Sequence, residues 1–269
     1  FPAEALALKK DQWTCGPAYD EWMGRWSALL AAEFLSWLAP APGLRWLDVC
    51  CGSGVLTLAI AERCAPASVK GVDFSEPQLA HARNRRSHPR ITYESGDATA
   101  LPFDDRAFDA AVSGLGLNFV PDPVLAISEM RRVTVPGGIV AGYVWDYSGG
   151  ARFLREFWDA ALAVDPTSAS FDQGARFALC NPEKFQAAFE SARLRKCEVR
   201  GLDIITRFES FERYWSPFST GQGSAPVYLQ TCDARVRNAI RDRLETSLSR
   251  DPDGAITLPA RAWAIRAKV

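Results

Sequence analysis

Apolar residues recur along this chain with two different periods. From about residue 19, Trp22, Trp26, Leu29, Leu30, Phe34, Trp37 and Leu38 fall three and four positions apart, the stripe of an amphipathic helix. Pro40, Pro42 and Gly43 end that helix. Short apolar runs bounded by turn residues then follow at 45–49, 68–74, 91–98, 108–114 and 139–145. Their β-branched residues and lengths predict buried strands. The intervening segments 55–61, 76–83 and 123–133 predict helices, the last with Leu125, Ile127 (or Ala126) and Met130 inward. Strands alternating with helices in this way predict an α/β fold built on a parallel sheet.

Past residue 145 the pattern changes. Residues 151–164 carry Phe153, Leu154, Phe157, Trp158, Ala161 and Leu162 on one helical side, and 165–174 reads as a loop of small and polar residues. Asn181-Pro182-Glu183 opens a helix with an N-cap and Pro at its first position. A sixth strand is expected at 197–205, and a helix at 233–248 with Val236, Ile240, Leu244 and Leu248 as its stripe. Residues 260–269 alternate small or apolar with basic residues and would close the sheet.

One stretch carries candidate chemistry. Arg45 to Gly54 reads as a strand, a tight glycine turn and then a helix. Gly52 and Gly54 permit the turn and let a ligand approach without meeting a Cβ. The helix that follows aims unpaired N–H groups at that turn. About twenty residues on, the second strand ends in Asp73, the spacing at which such folds grip a ribose. The alternative for Asp73 is a cap on the helix that follows.

These residues resemble motif I of the class I S-adenosylmethionine (SAM)-dependent methyltransferases, with Asp48 at the acidic position and Gly52 and Gly54 at the last two glycines. Cys50 stands where the first glycine is usual. The likeness extends through Gly96-Asp97-Ala98, the segment that contacts adenine in the family, to Glu129-x-x-Arg132-Val133-x-x-Pro136-Gly137-Gly138, a pattern of small-molecule and quinone-biosynthesis types. It implies a three-layer α/β/α Rossmann-like fold of seven strands, mostly parallel with the last antiparallel, plus helical insertions. It implies SAM as cofactor and S-adenosylhomocysteine as product. The cofactor residues so expected are Asp48, Cys50, Gly52, Gly54, Asp73, Phe74, Asp97, Ala98 and Ser113, with Tyr19 and Trp26 from the first helix. Residues 1–269 are expected to form a single domain, with 147–180 and 208–259 as an aromatic lid over a small-molecule acceptor. Its mobile parts are expected at 165–174 and 219–223. Asn118, Trp145, Arg176, Tyr214 and Trp215 are the expected acceptor contacts.

Composition narrows the field. Net charge over 269 residues is -1, with no basic stripe for a nucleic-acid backbone. Nucleobase amino-methylation is disfavoured as well, because Ser113-Gly114-Leu115-Gly116 replaces the acid or Asn before Pro-Pro-aromatic of those enzymes. Seven scattered cysteines without a C-x-x-C pair argue against zinc or any other metal and for a reducing, cytoplasmic setting. No signal-type or membrane-spanning stretch is expected.

Methyl transfer from a sulfonium is a direct displacement, in which a protein mainly aligns the partners and excludes water. A base is optional; Asp146 and Tyr147, just past the fifth strand, are the candidates, whereas His81 and His88 read as surface residues. Two alternatives differ in class. A SAM-binding protein without transfer activity would give no S-adenosylhomocysteine on turnover. An NAD-dependent oxidoreductase would want G-x-G-x-x-G, whose last glycine position is Thr57 here.

Overall fold

A computed structural model describes residues 23–85, 88–220 and 223–269. Tyr19, Trp22 and part of the expected mobile run at 219–223 lie outside them. The chain runs α1 (Arg25–Leu38), β1 (Arg45–Val49), α2 (Val55–Arg63), β2 (Ser68–Asp73), α3 (Glu76–Arg85), β3 (Ile91–Ser95), β4 (Phe108–Gly114), α4 (Pro123–Arg132) and β5 (Thr134–Trp145). It continues through α5 (Arg152–Val164), α6 (Gln173–Arg176), α7 (Pro182–Ser191), β6 (Arg195–Phe208), α8 (Phe211–Thr220), α9 (Ser224–Thr231), α10 (Ala234–Ser247) and β7 (Ile256–Lys268).

Seven strands form one sheet in the order β3-β2-β1-β4-β5-β7-β6. β1 to β5 pair in parallel, and β7 lies antiparallel between β5 and β6. The order reverses between β1 and β4, and a reversal of that kind opens a crevice at the carboxyl ends of the strands. The central strands carry apolar residues on both faces: Trp46, Leu47, Val49, Ala110, Ala111 and Val112 are all fully buried. α1 and α2 pack together on one face, and α4 and α7 on the other.

Several boundaries differ from the sequence pattern. Leu125 is 44% exposed, and Ala126, Ile127 and Met130 form the inward face of α4. β5 begins at Thr134, ahead of Pro136-Gly137-Gly138, because a register shift between Phe108 and Ala110 of β4 accommodates the extra residues. The segment 165–174 is more structured than a loop. A 3-10 turn, Pro166–Ser170, starts where Asp165 accepts from the Thr167 N–H, and α6 starts where Asp172 accepts from the Gly174 N–H.

The helices after β5 extend the core of the sheet with aromatic rings. Phe157 stacks on Phe218 at 4.5 Å, and Tyr228 packs against Trp158 and Phe171. The Trp158 indole donates to Gln173, and the Tyr228 hydroxyl donates to Asp165. A sealed ion pair ties the 3-10 segment to α5: Arg155 Nη1 lies 2.8 Å from Asp172 Oδ2, their side chains 10% and 7% exposed.

Breaking a buried pair leaves a charge without its partner, at a cost of about 3–5 kcal/mol. Because Arg155 keeps Asp159 at 2.8 Å, Asp172→Ala is expected at the lower end, a loss of about 3 kcal/mol in urea unfolding. A loss below about 1 kcal/mol would show that this pair does not hold the cap in place.

Candidate active site

The turn after β1 is shaped by left-handed backbone. Cys50, Gly52 and Gly54 have φ of 58°, 53° and 78°. Glycine takes such angles without penalty, whereas Cys50 does so with a side chain. The Cys50 Cβ fills the place a side chain at residue 116 would need, so Gly116 must lack one. A Cβ added at Gly52 meets nothing within 4 Å, which leaves free space beside that backbone.

Asp73, at the end of β2, joins this turn to its neighbour. Its Oδ2 accepts from the Gly52 N–H at 2.8 Å and its Oδ1 from the Ser75 N–H at 2.9 Å. A carboxylate offers about four lone-pair sites, so these bonds leave acceptor capacity unused. Burial raises the Asp73 pKa, and the backbone donors at Ser75, Gly52 and Phe74 oppose that shift. Beside it, Phe74 is 75% exposed, the most exposed of the large apolar side chains described.

Asp97, after β3, spends one oxygen on its own turn: Oδ1 accepts from the Thr99 N–H and hydroxyl at 2.8 and 2.7 Å. These bonds hold its pKa below the usual carboxylate range. Ala98 beside it is buried. A clamp from α4 holds the loop that follows. Glu129 accepts from the Leu101 N–H, while Arg132 donates to the carbonyls of Leu101 and Phe103 and pairs with Asp105 and Glu129. The Glu129-x-x-Arg132 spacing thus serves the loop after β3 from one turn of helix.

Asp48 sits apart from the opening. It is fully buried, and its Oδ2 accepts from the Thr57 hydroxyl on α2 at 2.6 Å. Its carboxylate faces the strand–helix interface, so it supports the turn from behind. Burial first, then the nearby Asp73 charge, pushes its pKa up to about 7, against the Thr57 hydrogen bond.

At the ends of β4 and β5 several polar atoms are buried with no hydrogen-bond partner: Ser113 Oγ, Asn118 Oδ1 and Nδ2, and Trp145 Nε1. Apolar rings crowd this end. Phe119 meets Phe177 edge-on at 5.1 Å, Tyr147 packs against Phe177, and Trp145 meets Phe153 at 5.5 Å. Asp146 is 7% exposed and bonded into its own turn, accepting from the Ser148 hydroxyl and the Gly149 N–H.

The structure therefore gathers Cys50, Gly52, Gly54, Asp73, Phe74, Asp97, Ala98 and Ser113 along the carboxyl edges of β1 to β4. Trp26 is not among them. It packs edge-on against Phe208 of β6 at 5.5 Å, and β4, β5 and β7 separate β6 from β1. Tyr214 is fully buried, its hydroxyl donating to the Phe153 carbonyl, which makes it a strut between α8 and α5. Arg176 donates to the Phe171 carbonyl and the Ser224 hydroxyl and lies over the Phe177 ring. Trp215 stacks with Phe211 on the same helix. The pattern of apolar positions selected these residues, and it does not separate a ring that lines a pocket from one that fills a core. Thr57, Tyr93, Glu129 and Arg132 support the site through long-range contacts; of these, only the Glu129–Arg132 spacing is visible in sequence.

Among the described residues no group of three or more His, Cys, Asp or Glu could hold a metal ion, and no helix is long and apolar enough to cross a membrane.

Comparison with known proteins places this geometry. A family model described as a methyltransferase domain matches residues 47–138. A demethylmenaquinone methyltransferase of Staphylococcus aureus (strain JH9) is 43% identical over 172 residues, spanning 60% of this chain and 71% of its own. Among solved structures, Haemonchus contortus phosphoethanolamine N-methyltransferase 2, in complex with phosphomonomethylethanolamine and S-adenosylhomocysteine, superposes with a TM-score of 0.60. It is 18% identical, and the match covers 100% of this chain and 60% of that one. The 4+2 cyclase SpnF superposes with a TM-score of 0.53 at 24% identity, covering 91% of this chain and 80% of its own. Such distant likeness establishes the fold alone.

The raised Asp48 pKa has a consequence for stability. An unfolded aspartate titrates near ~3.9. The folded chain therefore holds more protons than the unfolded one up to about pH 7. That contribution is fully present below pH ~4 and is lost as pH rises through about 7. Asp48→Asn, which cannot ionise, should gain in melting temperature relative to the parent between pH 4.5 and 8. Melting curves that stay parallel across that range would refute the assignment.

Proposed function

The chain belongs to the class I SAM-dependent methyltransferase family, and we propose that its acceptor is a lipophilic hydroxyaryl molecule of the demethylmenaquinone kind. It is an enzyme that transfers a methyl group to a small molecule. The acceptor reading rests on one observation above others. The Asn118 side-chain amide, in the turn after β4, has both polar atoms buried and unpartnered, and its neighbour in sequence, Phe119, packs on Phe177. A buried amide left unmade costs about 1–3 kcal/mol. A ring oxygen that accepts from Nδ2 or donates to Oδ1 removes that cost, while the surrounding rings suit a flat apolar body. The 43%-identical relative acts, by its name, on demethylmenaquinone, whose reduced quinol form is such a hydroxyaryl.

The residues present fit the cofactor. Gly52 leaves room for backbone approach, and the Asp73 carboxylate keeps acceptor capacity for a ribose hydroxyl. Phe74 offers an exposed ring for an adenine face, and Asp97 Oδ2 and the Ala98 N–H are placed to meet the adenine edge. Ser113 and the turn of Cys50 to Gly54 would take the methionine end. When bound, the cofactor supplies a methyl group already activated by its sulfonium charge. The protein's own work is then orientation and exclusion of water, which the aromatic end of β4 and β5 and the helical cap perform.

A proton must leave a hydroxyaryl acceptor at some stage. Asp146 and Tyr147 stand nearest the end of β5, and we assign neither as the base: one is bonded into its turn and the other is 4% exposed. We assign the cap of residues 147–180 and 208–259 to the acceptor side, with Trp145, Arg176 and Trp215 as wall or frame and Tyr214 and Trp26 as internal packing. The six described free cysteines agree with a reducing, cytoplasmic setting.

Two experiments separate the halves of this reading. Asp73→Ala should weaken SAM binding at least tenfold by calorimetry, a charge-assisted bond being worth about 1.5–3 kcal/mol; unchanged affinity on a folded variant would remove Asp73 from the ribose site. Asn118→Leu should lower kcat/KM for a demethylmenaquinol-type acceptor about tenfold and leave SAM affinity intact. The readout is the mass gain of one methyl group on the acceptor. Full turnover by Asn118→Leu, or methylation of polar amines in preference to quinols, would overturn the acceptor assignment.

A further inference from the structure

We infer that Tyr93 of β3 is a positioning residue for the SAM-binding turn, and that Gly54 is glycine because Tyr93 occupies the space of its side chain. The inference rests on the cofactor site proposed above.

The geometry runs through three elements. The Tyr93 side chain passes from β3 across β2 toward α2. It crosses β2 at Gly71, where a Cβ would lie 2.7 Å from Tyr93 Cδ1 and 2.9 Å from Cys51 Sγ. Its hydroxyl ends beneath the first residue of the helix. A Cβ added at Gly54 would overlap that hydroxyl and sit 3.1 Å from Tyr93 Cζ, with Ala82 of α3 behind it at 3.2 Å. Two glycines on different elements thus share one cause, the path of a single ring.

The ring also lies under a fixed element. The Thr57 hydroxyl of α2 donates to Asp48 Oδ2 at 2.6 Å, which anchors the first turn of α2 to β1. Tyr93 props the same turn from β3 by packing under Gly54. Gly54 N donates back to the Cys51 carbonyl at 2.9 Å, so the height of the helix start sets the height of the loop from Cys50 to Gly54. Near Gly52 the opposite holds: nothing in the protein lies within 4 Å of a Cβ there, and that glycine is left for the ligand. The two motif glycines, which look equivalent in sequence, answer to different partners.

The test is a coupled pair of substitutions. In the parent, Gly54→Ala meets both the left-handed φ of 78° and the Tyr93 hydroxyl. In a Tyr93→Phe background the overlapping oxygen is gone, and in Tyr93→Leu the far half of the ring is gone too. The apoprotein melting-temperature loss caused by Gly54→Ala should therefore be clearly smaller in Tyr93→Phe and smaller again in Tyr93→Leu. An equal loss in all three backgrounds would overturn the steric claim, and this readout needs no cofactor. Tyr93→Leu alone, which removes the ring that props the helix start, should raise the KM for SAM about fivefold, with kcat and the acceptor KM unchanged. An unchanged SAM KM, or a fall in kcat with unchanged SAM KM, would overturn the positioning role. If Tyr93→Leu behaves as expected while Asp73→Ala binds SAM normally, the positioning role stands and the ribose assignment fails. If the parent itself binds no SAM, the cofactor site fails and the apoprotein coupling still judges the packing of Tyr93 against Gly54.

Discussion

A single buried carboxylate holds the working edge of this sheet together. Asp73 accepts one backbone N–H from the turn after β1 and one from the turn after β2. The turn after β1 leaves the sheet beside the point where strand order reverses. Charge-assisted hydrogen bonds to Asp73 tie it to the end of β2, alongside the backbone bond from the Cys51 N–H to the Val72 carbonyl. They also offset the desolvation of the carboxylate, which burial alone would push toward the neutral form. Asp73 can then present fixed lone pairs to a ligand without itself having to be ordered on binding.

The supporting layer follows the same economy. Asp48 faces backward onto Thr57, and the Glu129–Arg132 pair reaches from α4 to the loop that follows Asp97. Charged groups behind the cleft orient backbone; groups at its surface remain available. The helical half obeys a different rule. Its rings pack on one another, and its buried polar contacts, Arg155 to Asp172 and Tyr228 to Asp165, tie short segments that have little apolar area of their own.

The fold alone does not determine the chemistry. A phosphoethanolamine N-methyltransferase and a 4+2 cyclase superpose on this chain about equally well. At this end of β4 and β5, Asn118 and Trp145 leave buried polar atoms unpaired, and Phe119 and Tyr147 both pack on Phe177.

The sequence by itself determined where strands, helices and the glycine turn fall along the chain, because each of those depends on contacts within a few residues. Alternation and capping place β1 to β5, Asn181 and Pro182 start α7, and left-handed backbone at 52 and 54 favours glycine. Only the tertiary structure decided what those residues do. Trp26 and Phe34 look alike on one stripe, yet Trp26 lies against Phe208, 182 positions later in the chain, a distance no local pattern encodes. Leu125 and Ile127 are two positions apart, on opposite sides of the helix, and packing on β5 and α7 buries the side that carries Ile127. Tyr214 reads as a pocket aromatic until its hydroxyl is seen to close on the Phe153 carbonyl. Gly54 reads as a ligand contact until Tyr93 is found in the space of its missing side chain. Propensity acts along the chain, whereas burial and close contact are settled between segments that meet only when the sheet is complete.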